Sequence, residues 1–223
     1  MSDSTVIKHI IFDWNGTLID DVGLAVEGVN RIRETQLLPA IDQNIYREQF
    51  GFPIRNFYER IGVDLERLSF DELVGLYLDL FNKGIKSCVL HNGVIDVLDW
   101  VRRAGMTVSI LSASQHETLQ DNLADAGLEG HIDHVFGLVG SEAEGKLDLA
   151  RRLDAVIGHP GAGALMVGDT DHDIEVARLC NWQVASVSHG HQSAERLAVL
   201  HSSVFPDLFS VFEHHFQPSF LNR

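Results

Sequence analysis

The pattern of apolar residues changes character near residue 90, and that change limits the fold more than any other feature of the chain. Beyond it, runs rich in β-branched residues at 106–112, 132–135, 164–167 and 183–187 alternate with amphipathic stretches at 94–104, 115–126, 146–157, 174–180, 193–200 and 208–216. Gly105 and Gly127 stand where two of those helices must stop. Alternation of this kind builds a parallel sheet with helices on both faces. Before residue 90 the pattern is helical, at 22–36, 43–50, 54–61 and 70–84, broken by Gly51-Phe52-Pro53 and Gly62-Val63-Asp64. The exception is an apolar run at 6–14, interrupted by Lys8-His9, which reads as a buried first strand. The chain is therefore expected to be α/β. An all-helical cap domain (20–89) is inserted after the first strand of a core formed by 1–19 and 90–223. Two linkers, 18–21 and 86–92, permit hinge motion of a lid over a site.

With 223 residues, 45% hydrophobic and 22% charged, the chain can bury a core and carry such an insertion. Its formal net charge of −15 disfavours nucleic acid and anionic membranes as partners. An anionic ligand would need locally placed positive charge. Cys88 and Cys180 form neither a disulfide framework nor a zinc-site spacing, and read as thiols of a reducing compartment. Met1-Ser2-Asp3-Ser4 is not basic, the apolar run after it is short for a signal peptide, and no stretch reaches membrane-spanning length, so a soluble cytoplasmic protein is expected. The oligomeric state stays open.

In an open α/β sheet, ligands bind beyond the carboxyl ends of the strands. The residues just past the predicted strands are Asp13 and Asn15, then Ser112, then the loop leading to Lys146, then Asp169, Asp171 and Asp173. Together they suit phosphoryl chemistry: a carboxylate to attack phosphorus, a hydroxyl and an ammonium to hold phosphoryl oxygens, and further carboxylates for a hard divalent cation. That cation would also reconcile an acidic chain with an anionic substrate. Asp171 reads as a loop or N-cap residue.

Four segments in order resemble the haloacid dehalogenase-like hydrolase superfamily, in its phosphoglycolate-phosphatase-like branch with a helical, C1-type cap. They are Phe12-Asp13-Trp14-Asn15-Gly16-Thr17-Leu18, Ile110-Leu111-Ser112, Lys146 after Glu144-Gly145, and Val167-Gly168-Asp169-Thr170-Asp171-His172-Asp173. The resemblance spans 6–192 and implies a Rossmann-like core. It implies a Mg²⁺-dependent phosphatase acting on a small phosphorylated metabolite, with Asp13 forming an aspartyl-phosphate that water hydrolyses. It implies Mg²⁺ held by the Asp13 carboxylate, the Asn15 carbonyl and Asp169. Asp173 is either a further ligand or an anchor for Lys146. Ser112, the amide of Ala113 and Lys146 hold the phosphoryl oxygens.

Asn15 departs from the family's phosphatases, which usually carry a proton-transferring Asp there. A positioned acid–base contributes roughly 10²–10⁴-fold in rate. Three readings stay open. One is a slow phosphatase, or one favouring substrates whose leaving group needs little protonation, such as acyl or aryl phosphates; another is a replacement acid from the cap or linker, with Asp20 and Asp21 nearest in sequence; the third is a phosphate-binding pseudo-phosphatase. A phosphonoacetaldehyde-hydrolase-like enzyme also lacks the second Asp, but its cap supplies a lysine, and none stands between Lys8 and Lys83. Arg55, after the first break in the cap, is a candidate for substrate contact, although a plain surface arginine is the simpler reading. His131, His134, His189, His191, His214 and His215 have no zinc-type spacing and read as surface residues. Phe50, Phe52, Phe57, Tyr58, Tyr77 and Phe81 read as cap core. Gly161-Ala162-Gly163 precedes a strand and is no dinucleotide fingerprint.

Overall fold

A computed structural model describes residues 6–140, 145–217 and 220; residues 1–4 and Glu144, read above, lie outside the described residues. Six parallel strands form one sheet in the order β3-β2-β1-β4-β5-β6. They are β1 (His9–Phe12), β2 (Thr107–Gln115), β3 (His134–Leu138), β4 (Ala164–Gly168), β5 (Gln183–Val187) and β6 (Val204–Phe205). The strand alternation explains why β1 is apolar throughout. Ile10 and Phe12 pack on one face with Val108, Ile110, Leu165 and Val167, while Ile11 packs on the other with Leu111 and Met166. Helices α5 (Val94–Arg103), α6 (His116–Asp125) and α10 (Leu208–Phe216) cover the first face. The second is covered by α7 (Lys146–Val156) and α8 (Asp171–Leu179).

The chain runs to β2 on one side of β1 and to β4 on the other, so the carboxyl end of β1 is the switch point where such sheets open a crevice. The register carries β1 and its neighbours to this edge together, with Phe12 opposite Ile110 and Val167. The strand is shorter than the apolar run at 6–14: Val6 is exposed, and the chain leaves the ladder after Phe12, with one last bond from the Asp13 amide to the Val167 carbonyl (3.0 Å).

Between β1 and α5 the chain is helical: α1 (Val22–Thr35), α2 (Gln43–Gln49), α3 (Ile54–Arg60) and α4 (Phe70–Gly84). Val22, Ala25, Val29 and Ile32 recur at helical spacing and bury one face of α1 against Tyr46, Phe57 and Leu73. A capping box between Ser69 and Glu72 starts α4. The two linkers pair with each other: Ile19 bridges Leu90, the Asp20 amide donates to the Val89 carbonyl and the His91 amide to the Leu18 carbonyl, both at 2.9 Å. A second junction ties the end of α2 to the core, where Gln192 Nε2 donates to the Phe50 carbonyl (3.2 Å) and the Arg196 guanidinium donates to the carbonyls of Glu48 and Phe50. Among the described residues no helix is long and apolar enough to cross a membrane.

Besides β1, four elements differ from the sequence reading: β2 runs on past Ser112 to Gln115, β3 spans His134–Leu138 where 132–135 was expected, and β6 and α8 also depart from it. β6 is absent from it, because two residues between Ser203 and Pro206 carry no periodicity. Helix α8 begins at Asp171, ahead of the expected 174, because Thr170 and Asp173 form a capping box.

Candidate active site

Asp13 emerges at the end of β1, between β2 and β4, with its side chain almost fully buried, and residues of α1–α4 line the same cavity. Lys146, the first residue of α7, reaches it from below: Nζ lies 2.8 Å from Asp13 Oδ1 and 2.6 Å from Asp173 Oδ1. The other Asp173 oxygen accepts from the amides of Asp169 and Thr170 and from the Thr170 hydroxyl. Every Asp173 oxygen is thus engaged, one of them by the Lys146 ammonium. Burial opposes ionisation of Asp173, yet Lys146 and these donors hold its carboxyl below the usual range.

Asp169 follows β4 and is fully buried; it accepts from Thr17 Oγ1 (2.7 Å) and from the His191 amide (2.6 Å). Gly16 has a positive φ of 73°, and a Cβ there would stand 2.4 Å from Asp169 Oδ2, so only glycine lets the loop pass this close. Carboxylate oxygens of Asp13, Asp169 and Asp173 lie within 4.8 Å of one another. Burial, with the neighbouring carboxylates, pushes Asp13 up to about 7 despite Lys146. Burial likewise raises Asp169 to about 6 despite His191. This surplus negative charge in an all-oxygen donor set is what a hard divalent cation relieves. Asp13 Oδ2 takes no hydrogen bond from the described residues, and Asp13 lines the cavity, so the donor set fits a metal.

Ser112 is buried in β2, two residues past the partner of Phe12, and its Oγ accepts from the Ser114 amide (3.1 Å). Asn15 is held on both sides of its amide: Nδ2 donates to Asp21 Oδ2 and Oδ1 accepts from Ser114 Oγ, both at 2.7 Å. Asp21 is the residue before α1, yet its side chain makes no cap; it is turned back to Asn15, to the Gly16 amide (2.8 Å) and to His191 Nε2 (3.2 Å).

His191 is the main site residue the sequence reading missed. The six histidines placed at the surface divide differently: only His214 is exposed, four are half-buried and His191 is buried. It sits past β5, where its amide bonds Asp169, and this turns the ring under the cap between Asp21 and the Tyr46 hydroxyl, 3.0 Å from Nδ1. Burial alone would lower it, but Asp21, Asp169 and Asp13 raise it to about 9, so it is cationic at neutral pH. Collecting residues past the fifth strand as well as the others would have named it.

Above these groups lies a cavity of about 420 Å³ lined by Asp13, Asn15, Ser112, Ala113 and Lys146. Arg55 is exposed, its guanidinium rests 5.1 Å over the Phe70 ring, and it does not line the cavity. Asp171 stands apart from the carboxylate cluster, paired with Arg196 (3.3 Å). The aromatics assigned to the cap core have two roles: Phe57 and Tyr58 are buried in it, and all six also line the cavity.

The model of the haloacid dehalogenase-like hydrolase family matches residues 10–187, and the chain belongs to that family. Its similarity to a phosphoglycolate phosphatase from Mesorhizobium japonicum is 29% identity over 191 residues, covering 82% of this chain and 83% of the relative. The fold matches the crystal structure of a protein from Clostridium acetobutylicum described as a predicted phosphatase, with a TM-score of 0.78 at 21% identity over 94% of this chain and 97% of that one. It also matches protein tyrosine kinase A of Mycobacterium tuberculosis, at a TM-score of 0.73 and 19% identity over 95% and 99% of the two chains. The fold is thus shared by proteins named for opposite reactions, and the reaction has to be argued from the site.

Proposed function

We propose that the protein is a Mg²⁺-dependent hydrolase of a small phosphomonoester, with Asp13 as the nucleophile. The observation that carries this reading is the Asp13 carboxylate itself. Lys146 pins one oxygen and leaves the other open, and Asp13 lines the same cavity as the buried Ser112. The open oxygen attacks phosphorus, the P–O bond to the leaving group breaks, and an aspartyl-phosphate forms on Asp13. Water then attacks the same phosphorus, releasing phosphate and a proton and restoring the carboxylate. Lys146, Ser112 and the Ala113 amide hold the phosphoryl oxygens. Asp13, Asp169 and the Asn15 carbonyl would hold Mg²⁺, whose charge offsets the repulsion between carboxylate and phosphate.

The relatives named phosphoglycolate phosphatase support the class of reaction. Asn15 cannot give a proton as a carboxylic acid would, so the leaving oxygen departs with little help from this position. The test is phosphate release from a panel of phosphate esters with and without Mg²⁺. Release that needs the metal and is lost in Asp13→Ala supports the reading. Well-folded protein with no release from any ester contradicts it.

A further inference from the structure

The leaving-group side of the cavity differs sharply from its floor. Helix α4 turns a stripe of Phe70, Val74, Tyr77, Leu78 and Phe81 toward the cavity, at the i, i+4, i+7, i+8, i+11 spacing of one helix face. Only Leu73 of this 15-residue helix is buried. Phe70, Tyr77 and Phe81 also pack against the helical core cluster, whereas Leu78 is 43% exposed, so the stripe is core on one edge and open wall on the other. Phe50 and Phe57, an edge-on ring pair 5.3 Å apart, add a second aromatic wall.

Among the described lining residues no arginine occurs, and Lys146 is the only lysine. Lys146 is already paired with Asp13 and Asp173, and His191 with Asp21. His172 is covered by Phe52 and faces Glu175. The nearby arginines are turned elsewhere: Arg55 lies over Phe70, and Arg47 donates to the His189 carbonyl. A substrate whose leaving group carries a carboxylate would bring a charge into this wall with no cation to meet it, and a buried unpaired charge is costly. The space is also far larger than two carbons need; about 420 Å³ falls in the range that encloses a whole small organic ligand.

Asn15 points the same way independently. Without an acid at this position, the better leaving group is the more acidic alcohol. Phenols ionise at about 10, far below alkanols, whose acidity is close to that of water.

We propose that the substrate is an aryl phosphate monoester, its apolar ring held by α4 and the Phe50–Phe57 wall, and not a carboxylate-bearing ester such as 2-phosphoglycolate. This rests on the phosphatase reading. Binding by the intact wild-type protein with Mg²⁺ separates the two claims. Calorimetry compares two phosphonates that cannot be hydrolysed, 2-naphthylmethylphosphonate and 3-phosphonopropionate. The naphthyl compound is expected to bind at least tenfold more tightly. Leu78→Arg, an exposed position, is expected to narrow or reverse that preference by placing a cation in the wall. In turnover, kcat/KM for 2-naphthyl phosphate is expected to exceed that for 2-phosphoglycolate at least a hundredfold. Equal or tighter binding of the carboxylate compound, with phosphoglycolate the better substrate, overturns the proposal and leaves the phosphatase reading intact. Preferential naphthyl binding without turnover of any ester supports the pocket assignment and refutes the phosphatase reading. Binding of neither compound overturns the proposal.

Discussion

Asn15→Asp puts the account of the missing acid under strain, because the structure fixes what the new carboxyl would meet. The amide nitrogen of Asn15 lies 2.7 Å from Asp21 Oδ2, and Asp21 is fully buried. An aspartate there sets two carboxylates in contact. Two unit charges at that distance repel by about 6 kcal/mol at an effective dielectric constant of about 20, so the pair keeps one proton. Like-charge dyads of this kind separate their apparent pKa values by about 3 units, which carries the new acid from about 3.9 to about 7. It would then donate a proton at neutral pH. For an alkyl phosphate the expected gain in kcat is about 10²-fold, the lower end for a positioned acid. For 4-nitrophenyl phosphate, whose leaving group needs no proton, little change is expected.

The same coupling has a thermodynamic signature. A carboxyl whose folded pKa is raised binds more protons folded than unfolded between pH 4 and 7, so stability falls as pH rises. At about 1.36 kcal/mol per unit, the variant is expected to lose about 4 kcal/mol relative to the parent over that interval. Steady-state kinetics on the two esters, with thermal melts from pH 4 to 8, test both parts. Folded variant with unchanged alkyl phosphate turnover, or an equal gain on both esters, refutes the reasoning.

Lys146→Met strips the shared cation from buried Asp13 and Asp173, and breaking such a buried pair is expected to cost about 3–5 kcal/mol together with activity; a melting temperature equal to the parent's would contradict it. Chelation of divalent ions is expected to abolish turnover and Mg²⁺ to restore it, read as phosphate release. Burial, aided by His134, lowers His9 to about 4, so the unfolded chain takes up a proton below pH 6.5 that the folded chain refuses. Stability should therefore fall from pH 6.5 toward 4, and a variant lacking the ring, His9→Asn, should show a shallower fall in melting temperature.

The alternation of β-branched runs and helices was legible because each strand of a parallel sheet is buried on both faces. Each also ends at a residue of changed chemistry: Asp13 after Phe12, Asp169 after Gly168. Helix α4 was legible to the residue, since an apolar stripe runs its length. What the stripe faces was not legible, because periodicity marks an apolar face without saying whether it meets a core or a cavity. His191 escaped, and Asp21 was named only as a nearby acid, for another reason. Their roles come from a contact between a linker and a loop 170 residues apart in the chain, and neither stands in a periodic segment. Arg55 looked suggestive beside a break in the cap, but α3 leaves it exposed over the Phe70 ring and outside the cavity lining.

The central claim is that Asp13 carries the phosphoryl group during turnover. It is tested most directly by acid quench of the Mg²⁺-loaded enzyme during hydrolysis of a ³²P-labelled aryl phosphate, followed by peptide mapping. The account predicts hydroxylamine-labile label on the peptide containing Asp13, absent from Asp13→Ala. Turnover without labelled protein, or stable label on another residue such as Ser112, would contradict it.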